Sequence, residues 1–115
     1  MNSMGLPGVY FREADFSPTF RDYAGEYCRG FQIHITDRET FQSFRTAMLM
    51  IHHIRKTHEE FQFRYRPDID RYQMDIILGT PDMRREDFDP EAFIAAEQEK
   101  VDAFMPELAP YYLYR

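Results

Sequence analysis

Eleven residues near the front of the chain, CRGFQIHITDR, hold a thiol, an imidazole, a carboxylate and two guanidinium groups. Cys28 and His34 are the types a thiolate nucleophile needs, because an imidazole within hydrogen-bond reach takes the thiol proton. The pattern of the segment opposes that use. Phe31, Ile33 and Ile35 alternate with Gln32, His34 and Thr36, the period-two signature of a strand. Six extended steps of about 3.3 Å then separate Cys28 from His34 by roughly 20 Å, so a dyad would require a fold-back at Gly30. Cys28 therefore reads as a lone packed cysteine. The alternation assigns Phe31, Ile33 and Ile35 to the packed face and leaves Gln32, His34 and Thr36 as a polar row. That row either lines a groove that hydrogen-bonds a sugar or other polar ligand, or packs under a helix with His34 satisfied by backbone.

Other chemistry finds less support. His52, His53 and His58 fall on one predicted helix, but none is paired at i+4 as in H-E-x-x-H. Asp68, Asp70 and Tyr72 begin like the alternate positions of a calcium loop, yet Gln73 stands where the sharp turn needs glycine. A glycosidase needs two carboxyl groups facing each other across a cleft, and the spacing of acids here identifies no such pair. The chain has no glycine-rich phosphate loop, and Arg64, Arg66, Arg84 and Arg85 read as solvated charges. Neither a metal nor a cofactor is expected.

The elements that would position the polar row follow from changes of period. A strand is expected over residues 9–12 and another over 31–36. Thr36-Asp37-Arg38-Glu39 has the form of a capping box, and Phe41, Phe44, Ala47, Met48, Ile51 and Ile54 then recur at three and four residues. These predict a long amphipathic helix over 37–57, with Phe44 in the core. Phe61, Phe63 and Tyr65 alternate as a short strand ended by Pro67. A short helix is expected before Gly79, helix starts at Thr80-Pro81-Asp82 and Asp89-Pro90-Glu91, and a helix over 90–105 ended by Pro106. The final YYLYR reads as an aromatic strand or strap. The fold class is α+β, a small mixed sheet covered by the long amphipathic helix and a C-terminal helix.

Length and composition bound the rest. One hundred and fifteen residues suit one domain, with residues 1–30 as a turn-rich opening segment within it. The 20 Asp and Glu outnumber the 14 Lys and Arg for a net charge of -6, the wrong balance for a phosphate backbone, so no nucleic acid is expected. One cysteine cannot form an internal disulfide and leaves the redox compartment open. No apolar run spans a bilayer, so no transmembrane segment is expected. MNSMGLPGVYF lacks the basic flank and apolar stretch of a signal peptide, so any export signal is expected outside this chain.

The blocks PGVYF, ADFSPTF and YAGEYCRGFQIHITDRETF, followed by DIILGTPDMR and a C-terminal YYLY, resemble the C-terminal part of the DUF1343 family. That family includes exo-β-N-acetylmuramidases of the NamZ type. The resemblance runs at intervals from Pro7 to Tyr114 and is most specific at Cys28, Gly30, Gln32, His34, Thr36, Asp37 and Arg38. Departures from the family pattern occur at Asp22, Ser43, Glu97 and Leu108.

The resemblance implies a segment that follows a larger Rossmann-like N-terminal domain in proteins cleaving N-acetylmuramic acid from peptidoglycan fragments, through a cleft between the domains. It implies catalytic acids in that N-terminal domain and none here. The chain is then a substrate-supporting domain of a glycoside hydrolase, inactive alone, and exported or periplasmic as part of a full member. Gln32, His34 and Thr36 become groove residues, Tyr10 and Phe16 sugar-packing aromatics, and Arg38 a contact for a carboxylate or for the other domain. The competing expectation is a non-catalytic structural or protein-interaction module, with Tyr111, Tyr112 and Tyr114 at its interface.

Overall fold

A computed structural model describes residues 1–114. The fold is a small α+β arrangement with two antiparallel two-stranded ladders and several helices, the longest of them C-terminal. The chain divides into two compact units, Met1–Thr46 and a second beginning at Ala47.

In the first unit, β1 (Val9–Phe16) and β2 (Cys28–Ile35) form an antiparallel ribbon running from Val9 opposite Ile35 to Phe16 opposite Cys28. β1 outruns the stretch its own sequence predicts because β2 pairs with all of it. The Asn2 amide meets Phe11 on the outer edge. Its Nδ2 donates to the Phe11 carbonyl at 2.8 Å and its Oδ1 accepts the Phe11 N–H at 2.9 Å. Both backbone groups of Phe11 thus point away from β2, which makes Phe11 and Ile33 a non-hydrogen-bonded pair with close side chains.

Phe11 is sealed, at 2% exposure, with the Phe31 ring edge-on at 6.4 Å. Phe31, Ile33 and Ile35 themselves are about half exposed, which corrects the expectation that their row is the packed one. Phe11 occupies the interior of that face, and the β2 row flanks it.

The helix expected from residue 37 starts later, as α1 (Ser43–Thr57). Thr36 and Asp37 donate their N–H groups to the Gly8 carbonyl at 2.9 and 3.3 Å, binding the chain there to the front of β1. Asp37 then closes a turn of its own: its Oδ1 accepts from Glu39 N–H at 3.0 Å and its carbonyl from Phe41 N–H at 3.1 Å. The S/T-x-x-E pattern marks this turn rather than a capping box. Phe44 is 44% exposed and so leaves the core, whereas Met48, on the same predicted stripe, is buried.

The second unit buries Met48 and Met83. β3 (Tyr65–Arg66) and β4 (Arg71–Tyr72) form a two-residue ladder. The strand expected from Phe61 is shorter because Phe61 and Phe63 turn edge-on to each other at 5.0 Å and Phe63 underlies the Arg55 guanidinium at 5.2 Å.

α2 (Gln73–Leu78) ends as its sequence predicts, with Gly79 at φ 75° and its N–H on the Asp75 carbonyl at 2.8 Å. α3 (Pro90–Leu108) also starts where predicted: Asp89 Oδ1 accepts from Glu91 and Ala92 N–H at 3.0 and 3.2 Å. Its end differs, since Pro106 lies inside the last turn and the helix continues to Leu108. A proline there forfeits a single intrahelical bond close to a terminus that frays anyway. Ala109–Tyr111 form a 3-10 turn, and no strand forms at 112–114; Arg115 lies outside the described residues. Among the described residues no helix is long and apolar enough to cross a membrane.

Candidate functional site

The ribbon register decides which sequence candidates share a face. Side chains alternate along a strand, and directly opposed residues of an antiparallel pair lie on the same side. Tyr10 opposite His34, Arg12 opposite Gln32, Ala14 opposite Gly30 and Phe16 opposite Cys28 therefore make one face. Four of the six candidates, Tyr10, Phe16, Gln32 and His34, meet there. Thr36 lies one residue beyond β2 with its amide committed to Gly8, and Arg38 is an exposed residue of the turn that follows.

Each group on this face has a definite setting. Tyr10 and Phe16 are about half exposed, with rings at opposite ends of the row. Phe16 lies over Gly30: a Cβ at Gly30 would come within 3.1 Å of Phe16 Cε1, so the absent side chain seats the ring. His34 is half-buried, and its Nε2 is enclosed without a protein hydrogen-bond partner. Cys28 and His34 remain on one continuous strand, with Cys28 Sγ 3.9 Å from the Glu26 carbonyl oxygen. The Cys-His dyad is thereby ruled out by geometry.

The acids of β1 fall in the other row. Glu13 and Asp15 alternate with the candidate face, and Asp15 stands opposite Arg29, with Oδ1 3.6 Å from its Nε. The Asp15 carboxylate also accepts a hydrogen bond from the Tyr27 hydroxyl, raising that phenol above its ordinary range. Among the described residues, no three His, Cys, Asp or Glu side chains come together to hold a metal ion.

Sequence reasoning missed Arg12, which stands at the centre of the face. Its signal was available, since Arg12 is two residues from Tyr10 in the same predicted strand and shares its side. Arg84 was also misjudged as solvated. Its Nε donates to both Asp75 oxygens at 2.8 and 3.0 Å, and its guanidinium stacks 4.0 Å from the Tyr72 ring centre.

Residues 1–114 match the family described as exo-β-N-acetylmuramidase NamZ, C-terminal. The chain belongs to that family. Over 64 residues it is 42% identical to the peptidoglycan β-N-acetylmuramidase NamZ of Bacillus subtilis (strain 168), a stretch covering 55% of this chain and 16% of that protein. A crystal structure of a DUF1343 family protein from Bacteroides fragilis superposes with a TM-score of 0.72 at 21% identity, covering 99% of this chain and 31% of that one. The Bacteroides likeness supports the fold, and the chain spans less than a third of either relative. The NamZ C-terminal resemblance read from CRGFQIHITDR and its flanking blocks is thus the correct family.

Proposed function

We propose that this NamZ C-terminal domain supports substrate for a peptidoglycan exo-β-N-acetylmuramidase-like glycoside hydrolase and is not catalytic alone. Its partner is a Rossmann-like N-terminal domain of the same family. The observation that carries the reading is the single ribbon face shared by Tyr10, Phe16, Gln32 and His34. A pyranose offers C–H faces that pack on aromatic rings and an edge of hydroxyl and acetamido groups that pair with amide and imidazole. Half-exposed rings at the two ends, with His34 beside Tyr10 and with Arg12 and Gln32 between the ends, match that division. Thr36 and Arg38 extend the same end of the ribbon toward a ligand or the partner domain.

The chemistry available on this face favours holding over bond cleavage. Glycoside hydrolysis uses two carboxyl groups flanking the scissile bond. Glu13 and Asp15 belong to the opposite row, where Asp15 pairs with Arg29. Positioning groups can still accelerate a reaction performed elsewhere by fixing the substrate's orientation.

Titrating N-acetylmuramic acid into the isotope-labelled chain tests the reading. Amide shifts at Tyr10, Arg12, Gln32 and His34 are expected; an intact ribbon without shifts at millimolar ligand rejects independent binding. Shifts that arise only after the Rossmann-like domain is added assign the site to the domain boundary.

A second reading, a protein-interaction module, is favoured by exposed apolar groups. Val101, Phe104 and Met105 on α3 are all exposed, and Tyr111, Leu113 and Tyr114 are 79%, 90% and 90% exposed. Sedimentation with and without the N-terminal domain separates the readings. A persistent monomer that captures no partner counts against the module.

A further inference from the structure

The second unit holds a cleft of about 380 Å³ lined by Arg55, Phe61, Gln62, Phe63, Tyr72 and Arg84. Both guanidinium groups in it are fixed. Arg55 Nη1 donates to the carbonyls of Met83 and Arg85 at 2.6 and 3.0 Å, Nη2 donates to the carbonyl of Arg84 at 3.1 Å, and Phe63 lies beneath. Arg84 is fixed by Asp75 through Nε and by the Tyr72 ring. Because Nε takes the ion pair, the terminal N–H groups of Arg84 keep donors to offer a ligand.

The charges do not cancel. Asp75 answers Arg84, while the acceptors of Arg55 are neutral main-chain carbonyls. In a chain of net charge -6 this leaves one positive charge concentrated in a partly enclosed site. The remaining walls are aromatic except for Gln62. A planar guanidinium edge, a surplus cation and aromatic rings beside them together suit an anion carried on a partly apolar body, and a carboxylate matches the edge with two parallel bonds.

We infer that this cleft binds the carboxylate of a muramyl fragment, with Arg84 as the bidentate contact and Arg55 as the supporting charge. The sugar body packs on Phe61 and Phe63, and Gln62 contacts its polar edge. The identity of the ligand rests on the functional reading above, whereas the cleft is lined by none of the ribbon residues and its occupancy is read at its own.

The experiment titrates the labelled full chain in parallel with N-acetylmuramic acid, with N-acetylglucosamine, which has the same ring but no carboxylate, and with inorganic phosphate at matched ionic strength. N-acetylmuramic acid is expected to shift the Arg84 side-chain N–H signals and the Gln62 and Tyr72 amides. N-acetylglucosamine is expected to leave them in place, and phosphate to move them less at equal concentration. Arg84→Lys keeps the charge beside Asp75 but gives up the planar fork, and should weaken the response about tenfold.

Silence at the cleft with shifts on the ribbon overturns this inference and leaves the functional reading intact. Shifts at the cleft without the ribbon do the reverse, and silence at both removes both. Equal responses to phosphate and N-acetylmuramic acid, or an unchanged response in Arg84→Lys, also overturn the carboxylate assignment.

Discussion

At Gly8 two constraints coincide. Its φ of 68° lies in the left-handed region, and a Cβ there would fall 2.4 Å from the Asp37 carbonyl oxygen and 2.8 Å from the Phe41 nitrogen. Those contacts are backbone and cannot swing aside. Gly8→Ala should therefore destabilise the chain by on the order of 2 kcal/mol, read as a lower midpoint in chemical denaturation; an unchanged midpoint would mean that the junction between Gly8 and the 36–41 turn is not held this way.

His52 gives a pH dependence. Burial, then the charges of Lys56 and Arg55, push its imidazole below the ordinary histidine range, against a smaller opposing pull from Asp89. Its Nδ1 is enclosed without a protein partner, so protonation there would create an unmatched donor. The unfolded chain takes the proton first. The contribution of His52 is thus fully present above about pH 6.5 and is lost as pH falls from there through the lowered folded value. Melting temperatures should drop over that interval in the native chain and drop less in His52→Gln; parallel curves would contradict the assignment.

Among the elements, α3 has the most local start. Asp89 accepts two amide protons from its first turn, and Asp89→Ala should cost about 1 kcal/mol, measured by denaturation, without altering ligand response on the ribbon. This start was legible because a cap, a proline and an acid lie next to one another in sequence. The same holds for α2, whose Gly79 stop is a local property of the backbone. The β2 alternation was equally plain, and it correctly set Gln32 and His34 on one side.

What the sequence left hidden depends on contacts between distant residues. The beginning of α1 is displaced because Gly8, nearly thirty positions earlier, accepts the amides of Thr36 and Asp37. Burial of Phe11 in place of the Phe31, Ile33 and Ile35 row depends on the β1 partner and the Asn2 amide. Arg12 could have been found by continuing the alternation past Tyr10. The setting of Arg84 could not, since it joins Asp75, Tyr72 and the carbonyl that Arg55 grips.

For the whole molecule, family membership and chemistry point in one direction. The chain matches the C-terminal NamZ family over residues 1–114 while covering 16% of the Bacillus enzyme, and its candidate face offers rings, amide, imidazole and guanidinium. Under the proposed function those groups hold the sugar, while proton transfer and charge stabilisation fall to the partner domain.

The direct measurement is sugar release from para-nitrophenyl N-acetylmuraminide by the purified chain, alone and joined to its natural Rossmann-like domain. The account predicts no release by the chain above a no-enzyme control, turnover by the joined protein, and a raised KM in the joined His34→Ala variant. Reproducible turnover by the chain alone, persisting after removal of trace contaminants and abolished by substituting one of its own acids, would contradict it.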